Sequence, residues 1–170
     1  MDSQDKIEKH VMLHAPVSRV WQVVADAEEF GQWFGVKLDG DFKAGQTVTG
    51  TFENLDEELI AEYQKSRGMQ PSAIKLPSAH TVFCTVERIE PETYFSFRWI
   101  PYGIDAAVDP QNEPTTLVEF RLEEAPEGTH LTVTESGFEK VPEQRRERAF
   151  LMNSDGWAQQ LQNIQKHVED

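Results

Sequence analysis

Six polar side chains are the candidates for acid–base chemistry in this sequence: His80, Arg98, Tyr102, Glu119, Arg121 and Glu135. Arg98, Glu119 and Arg121 alternate with apolar neighbours in strand-like runs, so we expect them to face solvent and to form cross-strand pairs. Tyr102 follows Pro101 at the end of such a run, where its hydroxyl would reach the rim of an interior pocket.

The spacing of histidine and cysteine gives no support for metal binding or nucleophilic catalysis. His10 and His14 share one face of a predicted strand, but four residues of strand separate them by about 13 Å, which is too far for one ion. Cys84 stands between Val82 and Val86 on an apolar face, which predicts a buried, inert thiol. We therefore predict no catalytic residue, no metal and no cofactor, and we regard an enzyme as the less favoured interpretation.

The charge balance narrows the range of partners. The chain has 170 residues, with 16 Lys and Arg against 30 Asp and Glu, which gives a net charge of −14. Phosphate backbones and anionic membrane surfaces attract basic proteins, so we expect neither nucleic acid nor a membrane as a partner. A single cysteine and the lack of an apolar stretch of roughly 20 residues predict a cytoplasmic protein.

The elements that position these side chains follow from hydrophobic periodicity. The strands are predicted at residues 7–14, 46–54, 79–90, 93–100, 115–123 and 129–136. The helices are predicted at residues 17–24, 28–34 and 142–168. The apolar stripe of the last helix consists of Phe150, Trp157, Leu161, Ile164 and Val168. Because Gly156 lies inside this helix, we expect either a close approach to the sheet or room beneath the helix at that point.

This order of elements predicts an α+β protein in which a curved antiparallel sheet wraps around one long C-terminal helix. Two short helices follow the first strand, and residues 1–170 form a single domain. Residues 55–78 interrupt two strands and do not fit the pattern. Leu55, Leu59 and Tyr63 favour a helix in the first part of this segment, which we interpret as a mobile insertion.

Four groups of residues, in this order, resemble the SRPBCC superfamily, the START or birch-pollen-allergen-like proteins with a helix-grip fold. They are APVSRVWQVVAD with FGQWF, FSFRWIPYGID, EPTTLVEFRLEE, and GTHLTVTESGF with MNSDGWAQQLQNI. Within the superfamily, the chain resembles the bacterial branch related to the C-terminal domain of the activator of the heat-shock-protein-90 ATPase. The resemblance implies a cavity between sheet and long helix, in which many members bind a small hydrophobic molecule.

Aromatic residues on the predicted inner faces fit such a cavity. Ordinary core packing explains any one of them, but the set as a whole predicts a pocket with aromatic walls. The expected lining residues are Trp33, Phe34, Phe52, Phe97, Trp99, Tyr102, Phe120, Met152 and Trp157.

Three functions stay open at this point. A non-catalytic protein that binds a small hydrophobic ligand is favoured, because no catalytic constellation is evident. A cyclase-like or aromatase-like enzyme would use Tyr102 or His80 at the pocket mouth, and would show convergent polar groups inside with a shifted pKa. A chaperone-accessory module would show a filled core and an exposed apolar patch. A homodimer is also left open.

Overall fold

The computed structural model describes residues 6–52, 57–70, 81–101 and 113–169, and these ranges contain seven strands and four α-helices. The strands are β1 (Lys6–Leu13), β2 (Val36–Leu38), β3 (Thr47–Phe52), β4 (Thr81–Glu90), β5 (Tyr94–Trp99), β6 (Thr116–Ala125) and β7 (Gly128–Ser136). The helices are α1 (Val17–Ala25), α2 (Ala27–Phe34), α3 (Glu57–Ser66) and α4 (Glu143–Glu169). A 3-10 turn over Phe138–Lys140 joins β7 to α4.

The seven strands form one antiparallel sheet in the order β1-β7-β6-β5-β4-β3-β2. The sheet is curved and unclosed, and α4 packs against its concave side. This confirms the predicted α+β helix-grip architecture. The three-residue strand β2 was not predicted, because it is too short to show alternation.

The core lies between the sheet and α4. Alternate residues of each central strand point inward, as Val118, Phe120 and Leu122 do on β6. Trp157, Leu161 and Ile164 form the buried face of α4, as its apolar stripe predicts. Phe150 and Val168 are only partly buried, because they lie towards the two ends of the helix.

Helix α2 is held by its two ends and by a close contact with β2. The Asp26 carboxylate accepts a hydrogen bond from the Glu29 amide at 3.0 Å and so caps the N-terminus. Gly35 ends the helix at φ +92°, a left-handed conformation that glycine adopts without strain. A Cβ on Gly31 would lie 2.2 Å from the Val36 carbonyl oxygen. These constraints direct Trp33 and Phe34, at the end of α2, towards the core.

Two expectations about single residues were wrong. Val82 is 62 % exposed, because an extra residue in β4 opposite the Val48–Thr49 step of β3 interrupts the alternation that would have placed it with Cys84. Gly156 neither brings α4 close to the sheet nor leaves room beneath it. It lies on the exposed side of the helix, where an added Cβ would meet no atom within 4 Å.

The described part of the 55–78 segment contains the predicted helix, α3. Its packing differs from the expectation, since Leu59 is 63 % exposed and Gln64 is fully buried instead. Leu55 lies outside the described residues, and the mobility of the segment stays a prediction.

Candidate functional site

Aromatic rings fill a large part of the interior and contact one another. Phe30, which is fully buried, lies at the centre of this set. Its ring centroid is 4.5–6.4 Å from those of Trp33, Phe34, Phe42, Phe83, Phe97 and Phe120. Phe30, Phe42 and Phe83 were not among the predicted lining residues. Phe30 falls on the inner face of α2, and the spacing of Phe30, Trp33 and Phe34 was the available signal for it.

The rings become less buried towards one end of the sheet. We call this the aromatic end and define it by Phe34, Phe52, Trp99 and Met152, all of which are partly buried. Phe52 and Trp99 are the last residues of β3 and β5, so both strands leave the sheet there. The ring centroids of Phe34 and Trp99 are 5.8 Å apart. The aromatic end therefore presents apolar surface that the described residues do not fully cover.

Four of the predicted lining residues, Phe34, Phe52, Trp99 and Met152, form the aromatic end. Four more belong to the buried core. Trp33, Phe97, Phe120 and Trp157 are buried, and the Trp33 indole donates to the Val23 carbonyl oxygen at 2.9 Å. Tyr102, the ninth, lies outside the described residues, as does His80. That these residues line a ligand cavity stays a prediction.

A fully buried carboxylate, Glu135, lies directly beneath the aromatic end. Its Oε1 accepts hydrogen bonds from the Trp157 indole at 2.8 Å and from the Asn153 amide at 3.1 Å. Its Oε2 accepts from the Trp99 indole at 2.8 Å, from the Thr116 hydroxyl at 2.6 Å and from the same Asn153 amide at 3.0 Å. We call these five residues the Glu135 cluster. It joins β5, β6 and β7 to α4.

The electrostatics of the cluster are unusual, because its donors are all neutral. Within the described ranges, Glu135 forms no ion pair with a lysine, arginine or histidine. Burial raises the pKa of Glu135 above its ordinary value, and the hydrogen bonds from Thr116, Trp99, Trp157 and Asn153 act in the opposite direction. The arrangement holds a carboxylate in an apolar interior at a cost in desolvation.

Glu135 was among the polar candidates in the sequence, but its partners could not be predicted from residue types and spacing. Trp99 and Trp157 were selected for their apolar rings, whereas the structure shows that both also use their N–H groups. Thr116 and Asn153 were not selected. Glu135 follows Leu131 and Val133 on the inward face of β7, and a charged residue at that position was the available signal.

Helix α3 packs against the first half of α4, close to the aromatic end. The Tyr63 hydroxyl donates to Asp155 Oδ2 at 2.6 Å, and the Arg67 guanidinium lies 3.0 Å from the same oxygen. Burial and the hydrogen bond to Asp155 raise the pKa of Tyr63. The Gln64 amide contacts the Met152 sulfur at 3.7 Å. Helix α3 thus contributes to the surroundings of Met152.

The polar residues of the opposite sheet face form surface pairs. Arg98 lies 3.2 Å from Glu87 of the neighbouring strand, as predicted. Arg121 lies 3.0 Å from Glu119, two residues away on the same strand rather than across it. Glu119 also accepts from the Tyr94 hydroxyl at 2.6 Å. These residues face away from the aromatic end.

The structure describes the surroundings of the single cysteine and of His10. Cys84 is buried, and burial raises its pKa to about 12, so the thiolate is disfavoured at neutral pH. His10 approaches His130 of β7, with 3.2 Å between Nδ1 and Nε2, rather than His14. Among the described residues, no three histidine, cysteine, aspartate or glutamate side chains cluster as metal ligands would.

An open groove of about 360 Å³ lies between β1 and α4, away from the aromatic end. Its walls combine polar side chains, such as Lys9, His10 and Gln165, with apolar ones, such as Leu161. It brings together none of the predicted lining residues. No helix in the described ranges has the length and apolar character needed to cross a membrane.

The curved sheet closed by one long helix, with aromatic rings and a buried carboxylate between them, defines an α+β helix-grip protein of the SRPBCC superfamily. The chain belongs to the family described as "Activator of Hsp90 ATPase homolog 1-like protein", whose model matches residues 72–169. A search of the curated proteins found no match.

Solved structures of the same fold cover nearly all of the chain. Protein MLL2253 from Mesorhizobium loti is 22 % identical, with a TM-score of 0.65 and 96 % of each chain covered. A protein from Arthrobacter aurescens is 14 % identical, with a TM-score of 0.65 and coverage of 99 % of this chain and 88 % of that one. DynU16, from the dynemicin biosynthetic locus, is 20 % identical, with a TM-score of 0.63. The match covers 97 % of this chain but 47 % of DynU16.

Proposed function

We propose that the protein binds a small hydrophobic molecule between the sheet and α4, at the aromatic end. The observation that carries this proposal is the partial exposure of Phe34, Phe52, Trp99 and Met152 next to a densely packed aromatic interior. Large apolar side chains are normally buried in the protein interior. A cluster of such side chains that stays partly exposed therefore favours a ligand that covers them and completes the packing. The family and fold are consistent with a ligand-binding or accessory domain.

A ligand at this position would stack on rings that are already rigidly held. Trp99 is fixed by its hydrogen bond to Glu135 and by stacking on Trp157, with 5.6 Å between the ring centroids. Phe34 is fixed at the end of α2 and contacts Phe83 at 5.3 Å. Rings that do not need to be ordered on binding lose little conformational entropy, which favours affinity.

A catalytic function is the second candidate, and the Glu135 cluster is the observation that favours it. Polar groups converge inside the protein, and burial raises the pKa of one of them, as an enzyme of this fold would require. The hydrogen bonding weighs against this role, because neutral donors already occupy both carboxylate oxygens. A proton-transfer group needs a lone pair directed at the substrate. We therefore prefer binding to catalysis.

A chaperone-accessory role has less support from the described residues. Their two large exposed apolar side chains, Leu59 and Val82, belong to α3 and to the start of β4. Isolated exposed apolar residues are common on protein surfaces and do not define an interface.

Thermal shift and tryptophan fluorescence test the binding proposal with a panel of fatty acids, flavonoids and polycyclic aromatic compounds. We expect at least one compound to raise the melting temperature of the full chain and to quench Trp99. A Trp99→Leu variant should lose most of this affinity. A Trp21→Phe variant, altered on α1 away from the aromatic end, should retain it. If no apolar compound stabilises the protein, or if both variants lose binding equally, the proposal is wrong.

A further inference from the structure

The buried charge beneath the aromatic end bears on which ligand the site would select. Glu135 is 0 % exposed, and within the described ranges it has no cationic partner. Its hydrogen-bond donors are two indoles, one amide and one hydroxyl. When Glu135 is ionised, its negative charge is therefore spread into neutral groups and not cancelled by a positive one.

The directions of the hydrogen bonds fit the ionised form of this carboxyl group. The donors to Oε1 are N–H groups of Trp157 and Asn153, and an N–H group cannot accept a proton in return. On Oε2, the indole of Trp99 is likewise a donor, and the Thr116 hydroxyl is the one neighbour among these four that could accept. Five donor contacts on two oxygens are the arrangement expected around a carboxylate.

Trp99 connects this charge to the surface. Its N–H points inward to Glu135, while the side chain is only partly buried at the aromatic end. Donation of the indole N–H to an anion increases the electron density of the ring. Tryptophan is already the aromatic side chain that attracts cations best. A cation on the accessible part of Trp99 would thus interact with an electron-rich ring and with a carboxylate one ring away.

We propose that the aromatic end selects a planar aromatic cation over neutral and anionic molecules of the same shape. This inference rests on the proposed function, since it specifies the chemical class of the ligand at the same site. The net charge of −14 also favours the approach of a cation, but that effect is general and is screened by salt. Selection by Glu135 is local, so it can be separated from the general effect by mutation.

The test compares three probes of nearly equal size at pH 8 and 0.15 M salt: N-methylquinolinium, 1-methylnaphthalene and 2-naphthoate. Each is titrated into the full chain and followed by tryptophan fluorescence, with calorimetry as a second readout. We expect N-methylquinolinium to bind about 10-fold more tightly than 1-methylnaphthalene, and 2-naphthoate to bind most weakly.

Two carboxylate variants identify the source of the preference. Glu135→Gln should remove most of the preference for the cation, measured as the ratio of the dissociation constants of 1-methylnaphthalene and N-methylquinolinium, so that a change common to both probes does not affect the result. Glu119→Gln removes the same charge from the opposite face of the sheet and should leave the preference unchanged. If Glu135→Gln does not fold, Trp99→Phe replaces it. That variant should reduce the preference several-fold, because a phenylalanine ring attracts cations less strongly than an indole and has no N–H group to donate to Glu135.

The outcomes separate the two proposals. If 1-methylnaphthalene binds as tightly as N-methylquinolinium, the selection proposal is wrong and the proposed function stands. If Glu119→Gln reduces the preference as much as Glu135→Gln or Trp99→Phe does, the effect is general electrostatics and the selection proposal is also wrong. If none of the probes and no compound of the apolar panel binds, both proposals fail.

Discussion

The indoles of Trp99 and Trp157 stack with 5.6 Å between their centroids, and both donate their N–H groups to the carboxylate of Glu135. Trp99 comes from the end of β5 and Trp157 from the middle of α4. One buried carboxylate thus sets the orientation of two rings from opposite layers of the fold. We infer that Glu135 acts as a positioning residue for the aromatic end.

Replacing Trp157 by phenylalanine should destabilise the protein more than the same change at Trp33. Both indoles are buried and each makes one hydrogen bond, but Trp157 donates to a carboxylate and Trp33 to a backbone carbonyl. Hydrogen bonds to charged groups are worth more than neutral ones, so we expect the loss in unfolding free energy to be roughly 1 kcal/mol larger for Trp157→Phe. Urea denaturation measures both values. Equal losses would show that the Glu135 cluster adds nothing beyond ring packing.

The stability contributions of Glu135 and Glu119 should depend on pH with opposite signs. Burial raises the pKa of Glu135, so the folded state binds its proton more tightly than the unfolded state does. Its contribution to stability should therefore fall as pH rises above the ordinary glutamate value of about 4.3. For Glu119, burial raises the pKa, but donation from Tyr94, the charge of Arg121 and donation from Thr134 outweigh this effect and lower it. Its contribution should be lost as pH falls below about 4.3.

Chemical denaturation of the wild type, Glu135→Gln and Glu119→Gln between pH 3 and pH 8 measures how the contribution of each glutamate to the unfolding free energy changes with pH. Carboxyl-carbon NMR titration gives the two pKa values directly and does not depend on the variants folding. A Glu135 pKa below that of an exposed glutamate would show that the donors outweigh burial, and it would reverse the predicted slope.

The architecture could be predicted because it depends on simple alternation along the chain. Phe95, Phe97 and Trp99 alternate on β5, and Trp157, Leu161 and Ile164 follow helical spacing on α4, so both inner faces were evident. Val82 was misplaced because one extra residue in β4 shifts the alternation, and such a bulge has no signature in the residue types around it.

The Glu135 cluster could not be predicted because its members are far apart in sequence and depend on register. Thr116 and Glu135 approach each other because β6 and β7 are adjacent, and Asn153 joins them because α4 crosses the sheet at that point. A polar residue such as Asn153 in an otherwise apolar stripe indicates a buried partner, but it does not identify which one.

Replacing Tyr63 by phenylalanine should loosen α3 without unfolding the sheet. The hydroxyl of Tyr63 donates to Asp155, and its loss leaves that carboxylate with the guanidinium of Arg67, which directly follows α3. We expect amide hydrogen exchange in residues 57–66 to rise by about 10-fold, which corresponds to roughly 1.4 kcal/mol of local stability. Tyr94→Phe is the matched control, since that hydroxyl donates to Glu119 on the other sheet face. Unchanged exchange in α3 would show that the Gln64–Met152 contact and other packing hold the helix.

Replacing Gly156 by alanine should stabilise the protein, whereas the same change at Gly31 should destabilise it. Gly156 lies on the exposed side of α4, where an added Cβ would meet no atom within 4 Å. Alanine is favoured over glycine inside a helix by about 1 kcal/mol, so we expect a gain in unfolding free energy of that size. At Gly31, also helical, the Cβ would lie 2.2 Å from the Val36 carbonyl oxygen, and α2 would have to move away from β2. Thermal denaturation of both variants measures the contrast, and a loss of stability in Gly156→Ala would show that this side of α4 is covered by another part of the chain.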